Sequence, residues 1–267
     1  MNNEKVALVT GASSGFGQLT ATMLAQSGYR VFGTSRKEHS ASSSVSMLTL
    51  DVKSNESVES CIKQLLDQTN RIDLLINNAG QIHASMIEET SLEQAKDVLE
   101  TNLWGVVRVT NAVLPTMRQQ RSGRIINMSS LGGLIGAPGQ GYYCASKFAL
   151  EGYSEALSVE LDPFNIKVSL IEPGYFKTNF NHSMLQNAQT YSDYDNVRDV
   201  IQSSINEAIA QGENPEKVAR LIVSIAKNPT PRLRYRVGND AQWLPRLRAI
   251  LPDRLFRLAA RKRYNIA

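Results

Sequence analysis

The chain of 267 residues predicts an α/β fold, a doubly wound parallel sheet with helices on both faces. Three observations carry that expectation. Short, apolar, β-branched runs alternate with stretches whose apolar residues recur at helical spacing, the pattern of right-handed strand–helix–strand crossovers. Polar or glycine-rich turns follow the runs after Thr10, Ser35, Ile76, Met128 and Ile171. No internal repeat or linker divides the chain. Ligands of such sheets sit beyond the carboxyl ends of the strands, so turns gathered on that edge describe a cleft.

From the amino terminus, "KVALVT" reads as a first strand entering a glycine turn, and "GQLTATMLAQSG" as a helix that stops at Gly28. "YRVFGTS" and "SMLTLDV" are the second and third strands, and "NESVESCIKQLLDQTN" has helical spacing. "IDLLINNAG" is a fourth strand running into a turn. "SLEQAKDVLETNLWGVVRVTNAVLPTMRQQ" reads as one long helix. "GRIINMSS" is the fifth strand, "YYCASKFALEGYSEALSVELDPF" a helix, and "IKVSLIEPG" the sixth strand. The later stretch "NFNHSMLQNAQTYSDYDNVRDVIQSSINEAIAQG" is helical and mixed in polarity.

Apolar residues make up 42% of the chain, enough to fill a sizeable core. No apolar run is long enough to span a bilayer, and the start lacks the layout of a secretion signal. Cys61 and Cys144 are far apart and the histidines are scattered, which argues against a disulfide scaffold and against a metal site. A soluble, cytoplasmic protein is expected. The net charge of +4 is unevenly spread. Ten basic residues crowd positions 232–263, opposed there only by Asp240 and Asp253.

The turn "TGASSGFG" places Gly11, Gly15 and Gly17 between a strand and a helix. Glycines let a pyrophosphate approach the backbone, and the free N–H groups of the helix start attract its charge. Ser13 and Ser14 can add hydroxyl donors. The spacing is G-x-x-x-G-x-G rather than the commoner G-x-G-x-x-G. A dinucleotide with a free ribose 2′-hydroxyl usually meets an acid after the second strand, whereas a 2′-phosphate wants a cation. Here Arg36 and Lys37 follow Ser35, with no acid before Glu38. Arg36 can grip a phosphate with two parallel hydrogen bonds, so NADP(H) is preferred over NAD(H); the alternative is a solvated surface charge. Asp51 either accepts a hydrogen bond from adenine or caps a helix. "NNAG" brings Asn77, Asn78 and Gly80 to the same edge.

Tyr142 and Tyr143 precede Lys147 on one predicted helix. At about 100° per residue, Tyr143 lies roughly 40° from Lys147 and Tyr142 roughly 140° away. Tyr143 therefore shares a site with the lysine. A phenol titrates near ~10, too high for a proton shuttle at neutral pH. An ammonium about 4 Å away, at an effective dielectric of about 20, favours phenolate by roughly 4 kcal/mol before desolvation opposes it. Ser130 closes the fifth strand and can hydrogen-bond the substrate oxygen, while Ser129 points to the opposite face. Asn102 lies in an otherwise apolar helical stretch, where its amide needs a partner, either a backbone carbonyl or an ordered water.

Taken in order, "TGASSGFG", "LDV", "NNAG", the Asn of "TNLWG", "INMSS", "YCASK" and "PGYFKT" resemble the short-chain dehydrogenase/reductase family over residues from about 5 to 180. The resemblance implies a single Rossmann-like domain with about seven strands and hydride transfer between a nicotinamide cofactor and a carbonyl or alcohol. It implies a catalytic set of Asn102, Ser130, Tyr143 and Lys147. Tyr143 is then the acid/base and Ser130 the donor to the carbonyl oxygen. Lys147 holds the nicotinamide ribose and lowers the Tyr143 pKa, and Asn102 holds a water on a proton path through Lys147. The glycine turn, including Phe16, would bind cofactor together with Arg36, Asp51, Val52, Asn78, Ala79 and Gly80. Pro173 and Gly174 would wall the nicotinamide and Thr178 would hold its carboxamide. On this reading residues 1–178 form the cofactor-binding and catalytic core, 179–230 a substrate lid, and 231–267 a basic terminal segment.

Within the lid, Phe180, Met184, Leu185, Tyr191 and Tyr194 either line an apolar pocket or are plain core. The terminal segment resembles the tails of hydroxysteroid and retinol dehydrogenase-like members, which points to a lipophilic steroid-, retinoid- or long-chain aldehyde-like substrate. Its preferred reading is a docked helix covering the substrate end; the alternative is peripheral contact with an anionic membrane. No nucleic-acid reader motif accompanies the basic residues. The resemblance also implies a homodimer or homotetramer. A non-catalytic NADP(H)-binding redox sensor or scaffold is the rival, and the intact Ser130–Tyr143–Lys147 set argues against it. A sugar-nucleotide epimerase would normally need a longer chain.

Overall fold

The structure, a computed structural model, describes residues 4–37, 44–177 and 190–264. Its strands are β1 (Lys5–Val9), β2 (Tyr29–Ser35), β3 (Val45–Thr49), β4 (Leu74–Asn77), β5 (Gly123–Met128), β6 (Ile166–Pro173) and β7 (Arg234–Val237). All pair in parallel, in the order β3-β2-β1-β4-β5-β6-β7. The order reverses between β1 and β4, and at such a point the loops of the two strands diverge and leave a crevice.

Side chains alternate across each strand and build two cores. Ala7, Val9, Val31, Leu74, Ile76 and Ile126 face one side, against α1 (Gly15–Gln26) and α7 (Glu216–Lys227). Val6, Leu8, Phe32, Leu75, Ile125 and Val168 face the other. There they meet α2 (Asn55–Thr69), α4 (Gly105–Gln120) and α5 (Gly141–Glu160). Burial on both faces is why the strands read as continuous apolar runs.

Local chemistry sets the helix ends. Ser54 accepts a hydrogen bond from the Ser57 N–H at 3.1 Å and so caps α2, which ends at Asn70 in the left-handed region with φ 53°. A reciprocal Ser91–Gln94 box starts α3 (Leu92–Leu99). The stretch expected to be one long helix is interrupted: a π-helical segment at Glu100–Trp104 separates α3 from α4. Such bulges occur often at functional sites, and Asn102 sits in the middle of this one. The remaining helices are α6 (Asp195–Ala210), α8 (Asn239–Ile250) and α9 (Asp253–Arg263).

The seventh strand, "RYRV", is the edge that the apolar pattern did not announce. Its arginines fasten it: Arg234 pairs with Glu151 at 2.9 Å and with Glu155, and Arg236 pairs with Glu172 at 3.1 Å. A buried polar chain ties β4 and β5 to the helices. The Asn77 amide donates to Thr110 Oγ1 at 3.1 Å and to Asn127 Oδ1 at 2.9 Å, and Asn127 donates to Ser154 Oγ at 2.9 Å.

The two loops at the reversal point are clasped by Thr10. Its Oγ1 accepts the N–H groups of Asn78 and Ala79, both at 3.0 Å. Asn78 returns the contact, its amide donating to the carbonyls of Thr10 at 2.9 Å and Gly11 at 3.0 Å. Thr10→Val keeps the shape but removes the acceptor from two N–H groups. It should cost about 1–3 kcal/mol, read as a lower urea midpoint with an unchanged slope; an unchanged midpoint would show that the clasp carries no stability.

Candidate active site

The cleft opens at the carboxyl edge of the sheet. Gly11 takes φ 66°, a conformation side chains resist, and a Cβ at Gly17 would collide with the Gly11 carbonyl and the Asn78 side chain. The backbone therefore turns tightly and brings the amino end of α1 to the crevice. Ser14 stands at the N-cap of α1 but its hydroxyl does not cap the helix. Ser13 and Ser14 are exposed, with Gly15 and Phe16 half-buried beside them. The helix leaves its first N–H groups and this hydroxyl without internal partners, a cradle that suits a pyrophosphate. These residues fit a dinucleotide.

At the far side, Arg36 follows β2 in an exposed position, and its charge helps to lower the Asp97 pKa, a smaller cause than the Gln81 and Lys53 hydrogen bonds; burial, the largest single cause, acts the other way. Asp51 is not a helix cap, since Ser54 fills that place. Asp51 instead accepts the Lys53 N–H at 3.0 Å, in a local turn. The Val52 side chain is core, packed where α4 begins: a Cβ on Gly105 would stand 2.8 Å from Val52 Cγ2. Asn78 and Gly80 line the cleft, while Ala79 packs against the core.

Tyr143 and Lys147 line the same cleft, and Tyr142 is not among its walls. Lys147 Nζ stands 5.7 Å from the Tyr143 ring centre and donates to the Met128 carbonyl at 2.7 Å. Ser130 lies beside the phenol, and its hydrogen bond pulls the Tyr143 pKa downward. Asn102 is fully buried, and its pairing is with protein groups: its amide donates to the Gln81 carbonyl at 2.9 Å and to Ser146 Oγ at 3.0 Å, and its oxygen accepts the Gln81 N–H at 2.9 Å. Gly80 lies against both Asn102 and Lys147: a Cβ there would stand 3.2 Å from Asn102 Oδ1 and 3.9 Å from Lys147 Nζ.

The lowering expected for the phenol is not the net direction of its shift. Burial pushes Tyr143 up to about 12, against the opposing Ser130 hydrogen bond. Burial also pulls Lys147 down to about 8, against the favourable charge of Glu151. Desolvation, which spacing along a helix does not report, is the largest cause at both groups.

Pro173 and Gly174 form part of the wall, with Phe16 packed edge-to-face on Phe176 at 5.5 Å. Thr178, Phe180, Met184 and Leu185 lie outside the described residues. Tyr191 and Tyr194 do not line the cleft; Tyr194 packs beside Met86, Ile201 and Ile205. The roof comes instead from Ile205, Ala208 and Ile209 of α6, from Leu244 of α8, and from Phe256 and Tyr264 at the end of the chain. The space enclosed is about 480 Å³. The roof helix α6 is held by Glu89, whose fully buried carboxylate binds the Arg198 guanidinium and accepts the Tyr191 N–H at 2.8 Å.

Sequence reasoning missed Thr10, Gln81 and Ser146, the residues that hold the others in place. Thr10 directly before the first glycine, and Ser146 directly before the lysine, were the signals available.

The buried amine has a consequence for stability. The Lys147 pKa of about 8 lies below the 10.5 of an exposed lysine, so below pH 8 the folded state carries the desolvation cost in full. Between pH 8 and 10.5 the unfolded chain binds more protons, and stability recovers. Lys147→Met should therefore raise the melting temperature at pH 7, by up to about 3 kcal/mol in stability, with the gain fading towards pH 10.5. Calorimetry across that range decides it, and a loss at every pH would put the Met128 hydrogen bond above desolvation.

A family model described as short chain dehydrogenase matches residues 5–189. The chain is 41% identical to the 3-ketodihydrosphingosine reductase of Bacteroides thetaiotaomicron, covering 98% of each chain. It is 34% identical to the retinol dehydrogenase 8 of Bos taurus, over 93% of this chain and 86% of that one. A solved short-chain dehydrogenase from Streptomyces avermitilis superposes with a TM-score of 0.83 at 32% identity, covering 97% and 99% of the two chains. With its seven-stranded parallel sheet and a cleft at the sheet's carboxyl edge, this chain belongs to the short-chain dehydrogenase/reductase family, nicotinamide-binding enzymes that interconvert CH–OH and C=O groups.

Proposed function

We propose that the protein is an NADP(H)-dependent oxidoreductase of a lipophilic carbonyl or alcohol, with Tyr143 as acid/base. The observation that carries this reading is the meeting of Tyr143, Ser130 and Lys147 in one cleft at the sheet's carboxyl edge. A bound nicotinamide supplies or accepts the hydride. In reduction, Ser130 donates a hydrogen bond to the carbonyl oxygen and Tyr143 gives that oxygen its proton. The phenol, pushed up to about 12 by burial, enters the reduction protonated, and the Ser130 hydrogen bond works against that rise, the direction that proton transfer needs. Lys147, tied to Met128, would hold the ribose with its remaining donors, and Asn102 fixes the Gln81 loop beside the proton path.

Preference for NADP(H) rests on Arg36, exposed after β2 with no acid before position 38. A lipophilic substrate rests on the apolar roof from α6, α8 and α9. The names of two relatives, a 3-ketodihydrosphingosine reductase and a retinol dehydrogenase, point the same way. Trp104 and Phe148, at 51% and 47% exposure around α4 and on α5, offer apolar contacts for a homodimer or homotetramer. Cys61 and Cys144 are both buried and free, which fits a reducing, cytoplasmic compartment. Among the described residues no helix is long and apolar enough to cross a membrane.

The test is NADPH oxidation across carbonyl compounds graded by chain length and ring count, with NADH alongside. Tyr143→Phe should lower kcat by about 10²–10⁴-fold while NADPH affinity stays unchanged; turnover near the wild-type rate would refute the assignment. Arg36→Ser should raise the KM for NADPH about tenfold or more and leave that for NADH alone, and equal effects on both cofactors would sink the NADP(H) preference.

A further inference from the structure

The two terminal helices carry apolar side chains on two sides. One side is accounted for: Leu244, Phe256 and Ala260 face the cleft. The other is not. On α8, Trp243, Leu247 and Ile250 recur four and three residues apart and so form one stripe. On α9, Leu255 and Leu258 continue the pattern. Their exposures are 61%, 45%, 78%, 50% and 60%, in chain order. A docked helix that only roofed the cleft would need none of these residues on its outer surface.

Charge flanks the stripe. Arg246, Arg254, Arg257, Arg261 and Lys262 are all exposed. Arg246 lies over the Trp243 ring, 5.4 Å from its centre. Of the two acids on these helices, Asp253 is taken by Arg248 at 2.8 Å and Asp240 faces the cleft. An apolar stripe bordered by cations on short helices is the pattern of a segment that lies in a lipid headgroup layer. A second copy of the chain is a poor occupant, because a two-fold pairing would set this cationic face against itself. A nucleic acid would leave the apolar stripe unused.

We propose that the outer face of α8 and α9 seats the protein on an anionic lipid surface. The stripe from Trp243 to Leu258 enters the boundary between headgroups and acyl chains, and the flanking arginines meet lipid phosphates. The inner face of the same helices walls the cleft, so a lipophilic substrate passes from the bilayer to Tyr143 across a single helical layer. The route rests on the substrate reading above; the seating does not.

The experiment uses the full chain with Trp104→Phe, which leaves Trp243 as sole indole reporter. Vesicles of phosphatidylcholine, with or without about one-third phosphatidylserine, are floated with the protein at low and high salt. Binding at least about tenfold tighter to the anionic vesicles, weakened by salt, with a blue shift of Trp243 emission, is expected. The pair Leu255→Asp and Leu258→Asp, and separately Arg254→Glu with Arg257→Glu, should abolish flotation while leaving the melting temperature and NADPH affinity intact. No flotation of the intact chain overturns the proposal, as does flotation that survives both pairs of substitutions. Equal binding to neutral vesicles overturns it too. A larger oligomer in gel filtration that the leucine substitutions dissolve would assign the face to a second copy instead. Since none of these readouts uses turnover, a protein that floats yet reduces nothing would refute the enzymatic reading alone.

Discussion

An amine held out of water and hydrogen-bonded to a backbone carbonyl governs the cleft. Lys147 is 6% exposed, and the Met128 carbonyl at 2.7 Å fixes where its charge sits. Met128 ends β5, so the position of the amine is set by the sheet rather than by a flexible side chain. Tyr143 stands one helical turn earlier on α5 and is carried to the same point. The dry surroundings that make the amine costly also make each polar contact in the cleft count for more than it would in water. Stability given up at this position is of the kind expected where a fold keeps a charged group for chemistry.

Around that point, polar groups are held by short reciprocal contacts. Asn102 sits buried within the π-helical segment Glu100–Trp104, where the helix is wider than its α-helical neighbours. Through Gln81 it pins the loop after β4, while Thr10 and Asn78 pin the start of that loop to the glycine turn. The glycine turn and the Tyr143–Lys147 side of the cleft are thus joined by one braced segment, residues 78–81.

Much of this was legible in the residues themselves. Six strands could be read because buried parallel strands are apolar on both faces and end in polar turns. The shared face of Tyr143 and Lys147 follows from helical geometry. The seventh strand was hidden because "RYRV" is short and half charged, and its partners Glu151, Glu155 and Glu172 come from elsewhere in the chain. The break at Glu100–Trp104 contains neither glycine nor proline, so periodicity ran straight through it. The direction of the Tyr143 pKa depends on burial, which spacing cannot express. In the terminal segment, amphipathic character was visible, but which side met the cleft required the fold.

The Glu89–Arg198 contact bears on the roof of the cleft. Glu89 has no exposed side-chain surface, and swinging α6 away would strip a buried carboxylate of its counterion. The pair thus holds α6 against the body of the fold. The cleft is therefore fastened on its α6 side, whereas α9 meets it through Phe256, Ala259, Ala260 and Arg263.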